Sequence, residues 1–474
     1  MKTPMLISRY SWIRTRYVVG QHTRSFLRAP WAGGVVLLVC VVIAMVLANL
    51  PATADLYHSL LTTDLAISVH SHDGLINWTY PREMTVEKFI NDALMVIFFF
   101  TVGLEIKREI VCGQLSSWRK AILPVLAAGG GMLFPALIFA SMNGGTVAAN
   151  GWGIPTATDI AFAIGIMSLL GDRVPISLKV FLTALAIADD LGAIIVIALF
   201  YGGAINWGCL IVAFAIMALV YVMNRMGERR MMFYLVPAIV IWSLFYYSGV
   251  HSTISGVAMA MLIPMSPRYS RQYLYRRLNT ARDAIERVTT DDDEDNNVEE
   301  IALVGDLKHV ASGSIGMSDK LEHMLNPYVT FIIMPIFALA NAGVRVDSVE
   351  YFNLFHSSPE TGAVGMGIFF GLVLGKPIGI FLLSWISVKL KLAEMPSGAG
   401  WKMLFAVACL GGIGFTMSIF VDSLAYTDTA LIDRGKIAIL IASTTAAILG
   451  TILIVLFSKR DRSGVTPPRP EQEK

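Results

Sequence analysis

The stretch Ala184-Leu185-Ala186-Ile187-Ala188-Asp189-Asp190-Leu191-Gly192-Ala193-Ile194 puts two adjacent carboxylates inside an apolar run covering roughly 176–201. A helix of about 20 apolar residues crosses the hydrocarbon of a bilayer. An ionisable side chain at the bilayer centre costs at least about 2.5–3.5 kcal/mol on insertion scales, so each one points to function. Asp159 and Lys376 lie in similar apolar runs. Counted from Asp172, Pro175 and Lys389 at about 1.5 Å per residue, Asp159, Asp189 and Lys376 all fall about 20 Å from the same membrane boundary. Three predicted spans therefore place carboxylates and an amine in one layer.

Composition agrees with a polytopic membrane protein. Of 474 residues, 55% are hydrophobic and 15% charged, and the mean hydropathy is +0.63, whereas a soluble domain carries about 25% charged residues. The net charge of +2, with no finger or P-loop motif, excludes a basic nucleic-acid binder. Cys40, Cys112, Cys209 and Cys409 are too far apart in sequence for a metal site or a disulfide framework. No cofactor is expected.

The sequence predicts an all-α protein of about twelve transmembrane helices, at roughly 32–50, 88–105, 121–141, 152–171, 176–201, 206–223, 233–248, 250–265, 327–345, 362–388, 402–423 and 435–457. The first run is longer than the 7–15 apolar residues of a signal peptide and reads as an anchor. Lys and Arg crowd into alternate connections. Apart from Lys376 within a span, only Arg82, Lys88, Arg345, Arg434 and Lys436 fall on the other side. By the positive-inside rule both termini are cytoplasmic. The organisation is then a basic N-terminus (1–31), spans one to eight (32–265), a cytoplasmic loop (266–326), spans nine to twelve (327–457) and a cytoplasmic tail (458–474).

Two connections stand out. Within 64–80, Leu65, Ile67 and Val69 alternate ahead of Asp73-Gly74, a hairpin signal. An isolated hairpin is marginal in water, so it pairs with a partner or lies on its own subunit. The loop 266–326 carries a possible helix at 269–288 and the run Asp291-Asp292-Asp293-Glu294-Asp295. Asn296 and Ala302 stand where a calcium loop needs Gly and Glu, so the run reads as a solvated linker.

The backbone is irregular at the depth of the charges. Span four contains Pro155-Thr156-Ala157-Thr158-Asp159, and span eleven contains Gly411-Gly412-Ile413-Gly414. Proline cannot donate and clustered glycine makes a poor helix. Unwound backbone at that depth is tolerated only within protein or beside water. The two spans run in opposite directions and sit second in the groups three–five and ten–twelve, the sign of an inverted repeat with an ion site at its interface. Gly367, Gly371, Gly375 and Gly379 recur every fourth residue along span ten, a smooth face for close helix packing. Carboxylate, hydroxyl and carbonyl oxygens suit a hard cation. Asp189 and Asp190 diverge by about 100° on a helix, so one can face a cavity while the other meets Lys376. If each releases a proton as one monovalent cation binds, two protons move per cation and the exchange is electrogenic.

These motifs, in this order, resemble the NhaA-type sodium/proton antiporters. The matching stretches are Asn91-Asp92-Ala93-Leu94-Met95, Val102-Gly103-Leu104-Glu105-Ile106-Lys107-Arg108-Glu109, Thr158-Asp159-Ile160-Ala161-Phe162-Ala163, the opening stretch, Ser248-Gly249-Val250-His251, Gly375-Lys376-Pro377-Ile378-Gly379 and the run from Gly411 to Phe420. The resemblance covers about 30–457 apart from the long loop. The inverted-repeat pattern is itself known from this family, so the two readings are not independent. The resemblance implies extrusion of Na⁺ or Li⁺ in exchange for H⁺, for pH and sodium homeostasis and salt tolerance, by alternating access in a bacterial inner membrane. It implies two crossing broken helices and a homodimer joined through the hairpin. Asp189 and Asp190 would bind the cation and protons, with Lys376 paired to Asp189. Thr158 and Asp159 would sit at the crossing, beside the backbone of Pro155, Thr156, Gly411, Gly412 and Gly414. Glu105 and Glu322 resemble a pH-sensing region, to which His251 is a weaker candidate. The insertion at 267–320, and Asn326 where a histidine is familiar, depart from the family pattern at the expected pH-sensing surface.

Two other classes fit less well. An intramembrane aspartyl protease needs Gly-x-Gly-Asp and Tyr-Asp motifs, and neither occurs inside a span. A sodium-coupled symporter of an organic solute needs a more varied polar pocket than three aspartates and a lysine.

Overall fold

Apolar side chains cover the outside of this protein as well as its interior. In the computed structural model, which describes residues 31–65, 67–70, 77–80, 84–267, 269–288, 313–346, 353–355 and 362–458 and a few isolated positions, Leu38, Val42 and Val46 project from one helix and Ile211, Phe214 and Leu219 from another. Such surfaces are stable against lipid rather than water.

In chain order the helices are α1 (Ala32–Asn49), α2 (Ala54–Thr62), α3 (Val86–Val111), α4 (Trp118–Asn143), α5 (Ile160–Leu169), α6 (Ile176–Phe200), α7 (Trp207–Arg225), α8 (Met232–Ser248), α9 (Thr253–Leu262), α10 (Arg271–Val288), α11 (Met317–Asn341), α12 (Val364–Lys389), α13 (Trp401–Gly411), α14 (Phe415–Ala425) and α15 (Thr429–Phe457). Among the described residues, nine helical stretches are long and apolar enough to cross a membrane, or ten if the bent pair α13–α14 is one span. The chain is a multi-pass membrane protein. Helices α8 and α9 are apolar but shorter. Strands β1 (Ile67–His70) and β2 (Asn77–Tyr80) pair antiparallel, Ile67 opposite Tyr80. The turn expected at Asp73-Gly74 and the acidic run 291–295 lie outside the described residues.

The chain divides into two compact units. One comprises Val35–Ala121 and Leu191–Asp347. Here α3 packs along α9, with Gly103 against Ala260 and Gly256 against the Val96 carbonyl. Leu104, Ile241, Phe245 and Met259 contribute to its core. In α2, which lies outside the spans, Tyr57 donates to the Leu339 carbonyl at 2.6 Å. Burial and the nearby Glu87 push that phenol up to about 12, so it remains a donor.

The other unit comprises Met1–Gly34, Ile122–Asp190 and Ser348–Lys474. Helix α15 packs against α12, α13 and α14, and α12 lies along α4. The glycine ridge explains that second contact. Gly367 faces Phe139 and Asn143, Gly375 faces Pro135, and Gly379 meets the backbone of Gly130. A Cβ on Gly130 or Gly379 would overlap the carbonyl of the other. Gly129, on the same helix, has nothing near its missing Cβ. Gly379→Val should therefore destabilise the protein by about 1–3 kcal/mol or more, while Gly129→Val should be nearly neutral. Thermal unfolding of the two purified variants in detergent checks the difference.

Candidate functional site

Two chain breaks meet in the second unit. A 3₁₀ stretch, Ala149–Thr156, precedes α5, and Ala157, Thr158 and Asp159 between them are not helical. The span expected at 152–171 is thus α-helical only from Ile160. The second break separates α13 from α14, which are bent by 46°. Backbone joins them, the Asp159 N–H donating to the Ile413 carbonyl at 2.7 Å. Gly412 lies against the Leu372 carbonyl and Gly414 against Ser418 Oγ and the Ala157 carbonyl, leaving no room for side chains.

Asp159 serves both broken helices. Its Oδ1 accepts from the Phe162 N–H in the first turn of α5. Its Oδ2 accepts from the N–H and the hydroxyl of Thr416, at 3.2 and 2.5 Å, in the first turn of α14. One buried carboxylate thus meets the positive ends of two helices. Ser443 on α15 accepts from the Phe415 N–H, and Ser418 donates to the Ile154 carbonyl.

Lys376 is fully buried. Its Nζ bridges Asp189 Oδ2, 2.8 Å away, and the Thr156 carbonyl at 2.6 Å. The residues before it, Gly371–Gly375, form a π turn. Pro377 follows it and has no N–H to offer the preceding turn, which accounts for the irregular winding. Pro155 packs on Gly371. Thr158 Oγ1 lies 2.5 Å from Asp189 Oδ2 and 3.1 Å from the Gly411 carbonyl. Its single proton can serve only one of those acceptors at a time. Asp189 Oδ1 is buried and accepts no hydrogen bond from the described residues. Asp190 is 2% exposed and near enough to act on Lys376 by charge.

The structure therefore brings together Thr156, Thr158, Asp159, Asp189, Lys376 and Gly411, with Asp190 adjoining. Glu105, Glu322 and His251 belong to the other unit. Glu322 pairs with Arg108 at 2.6 Å and acts on Glu105 by charge. Lys107 beside them donates to the Met261 and Ile263 carbonyls at the end of α9. His251 Nε2 meets the Tyr201 carbonyl. Sequence reasoning missed the roles of Thr416, Ser418 and Ser443 at the breaks, and it missed Asp422, which is fully buried on α14. The signal for Asp422 was a carboxylate within the apolar run Phe415–Ala425.

A multi-pass helical protein in which two helix breaks meet beside a buried cluster of acids and an amine has the form of an ion transporter. The family described as Na⁺/H⁺ antiporter 1 matches residues 24–454. The chain is similar to the Na⁺/H⁺ antiporter NhaA of Oleidesulfovibrio alaskensis, with 43% identity over 441 residues, 91% of this chain and 93% of that protein. It is 40% identical to the Na⁺/H⁺ antiporter NhaA of Christiangramia forsetii over 461 residues, 96% of this chain and 99% of that protein. With the Escherichia coli Na⁺/H⁺ antiporter NhaA it shares 38% identity over 436 residues, 91% of this chain and 97% of that protein. The chain belongs to the Na⁺/H⁺ antiporter 1 family: it is a transmembrane antiporter of the sodium/proton-exchange class, not an enzyme.

Removing one partner of a buried ion pair costs about 3–5 kcal/mol, because the other charge is left uncompensated. Lys376→Met should therefore be strongly destabilised. Adding Asp189→Asn to it should recover most of the loss. Unfolding midpoints of the two single variants and the double variant provide the check.

Proposed function

We propose that Asp189 and Asp190 are the residues at which one Na⁺ or Li⁺ is exchanged for protons, with Lys376, Thr158 and Asp159 holding the site in shape and charge. One observation carries this reading: Asp189 is buried between the Lys376 ammonium and the Thr158 hydroxyl with Oδ1 left open. Carboxylate, hydroxyl and backbone carbonyl oxygens together match the needs of a hard monovalent cation. As the cation binds, Asp189 and Asp190 each give up a proton, so two protons move per cation and the exchange carries current. The site opens to one side of the membrane and then the other.

The remaining assignments follow from this. Twelve crossings result if α13–α14 is one span and α8 and α9 each cross. The two broken segments, 149–169 and 401–425, are the central members of an inverted repeat, which their opposed breaks support. Both termini are cytoplasmic, and the membrane is a bacterial inner membrane. Strands β1 and β2 join two copies into a homodimer. Glu105 and Glu322, gathered around Arg108, form a pH-sensing group. The loop 266–326 is a linker whose acidic part takes no part in exchange.

Everted vesicles with an imposed pH gradient test the site. Added Na⁺ should collapse the gradient with the wild-type protein. Asp190→Asn should abolish the collapse and Asp189→Asn nearly so, since Asn keeps the shape but neither releases a proton nor supplies charge. Wild-type rates in Asp190→Asn would refute the assignment.

Lys376 admits two schemes. If the cation draws Asp189 away, the unpaired lysine releases a proton and is itself one of the two carriers. Otherwise Asp189 and Asp190 carry both protons and Lys376 is a brace. Asp189 is the carboxylate in direct contact with Lys376, and losing it would leave the buried ammonium against the Thr156 carbonyl with the through-space charge of Asp190, a weaker support that favours the carrier scheme. Lys376→Gln should then exchange one proton per cation. A current per cation equal to wild type, measured in reconstituted membranes under a sodium gradient, would reject the lysine as a carrier.

A further inference from the structure

Asp422 has no part in the exchange scheme, yet its setting is as demanding as that of Asp189. It lies on α14 about 9 Å along the helix beyond Thr416, the residue that holds Asp159. It is fully buried, and neither carboxylate oxygen accepts a hydrogen bond from any described residue, Lys436 included. Both oxygens press on Gly435 of α15, where a Cβ would overlap them. Lys436, the next residue of α15, is 6% exposed. It acts on Asp422 by charge, and Asp433 acts with the opposite sign. The 3₁₀ stretch Ala149–Thr156, also packed on α14, has no ionisable side chain.

A carboxylate buried without a donor is strongly disfavoured as the anion, and a buried ammonium needs a counter-charge. The missing side chain of Gly435 lets the carboxylate lie directly against α15. A proton added to the carboxylate removes the cost of the anion; a proton lost restores the attraction to Lys436. Either change acts at the contact between α14 and α15, and the first turn of the same α14 carries Thr416, which binds Asp159.

We propose that Asp422 and Lys436 form a second proton-binding pair, separate from Asp189 and Lys376, whose occupancy adds through α14 to a pH response shared with the Glu105–Glu322 group. The effect on transport rests on the exchange reading above; the binding of a proton does not.

Infrared difference spectra of the full-length protein in lipid nanodiscs, recorded between two pH values, read the proton directly. One component of the wild-type protonated-carboxyl band, distinct from that of Asp189 and Asp190, should be missing in Asp422→Asn. Lys436→Met, which keeps the acid, should shift the pH at which that component appears. In proteoliposomes, Asp422→Asn should still exchange Na⁺ for H⁺, with its rate-against-pH profile displaced by about one pH unit or more. Asp422→Glu should bring the profile back towards wild type. Identical spectra in wild type and Asp422→Asn would overturn the proton site. Superimposable pH profiles would overturn its effect on transport. If Asp422→Asn does not fold, an unshifted band in Lys436→Met would overturn the pair. Failure of the exchange site would look different: Asp190→Asn would still transport, with the Asp422 band untouched.

Discussion

A helix that ends inside an apolar environment exposes backbone groups that water cannot reach. This protein has two such endings at one place, and the surroundings are arranged to answer them. Asp159 meets both helix N-termini, Ser443 takes one N–H of α14, Thr158 can donate to the Gly411 carbonyl, and Lys376 donates to the carbonyl of Thr156. Lys376 and Thr158 are also the groups in contact with Asp189. The donors that compensate the broken backbone are therefore the same ones that compensate the buried acid. Satisfying one demand changes what is left for the other.

Much of this was legible in the sequence, for a simple reason. A charge within an apolar run is rare because it is costly, so Asp159, Asp189, Asp190 and Lys376 announced themselves. Proline and clustered glycine marked the two breaks, and helix geometry separated Asp189 from Asp190. What stayed hidden depends on elements distant in the chain. Nothing local says that Thr416 spans 257 residues of sequence to hold Asp159 with both its N–H and its hydroxyl. Asp422 was missed because a span ending near 423 puts it in the last turn, where a carboxylate needs no explanation. It is buried because α15 begins at Thr429 and brings Gly435 against it. For the same reason Lys436, counted from the sequence among the charges on the outer side at the start of the last span, lies buried within a helix.

The other unit handles its charges differently. Arg108 and Glu322 form a direct pair, and Lys107 spends its ammonium on the last carbonyls of α9, where the helix dipole favours a cation. Asn91 and Asn341 exchange amide hydrogen bonds with one another, at 2.8 and 3.0 Å. Each of these groups has a partner within reach, while the second oxygen of Glu322, Oε2, accepts no hydrogen bond from the described residues.

The contact between Gly130 and Gly379 has a mechanical consequence. Backbones in van der Waals contact along a smooth ridge cannot rotate against each other without their flanking side chains colliding. Helices α4 and α12 therefore resist turning against each other at this contact, and the backbone of Lys376, between Gly375 and Gly379, is held with them. The lysine retains only the torsions of its own side chain. A separation of Lys376 from Asp189 greater than those torsions allow must come from the other side of the pair, the Asp189 side chain or α6, which carries it.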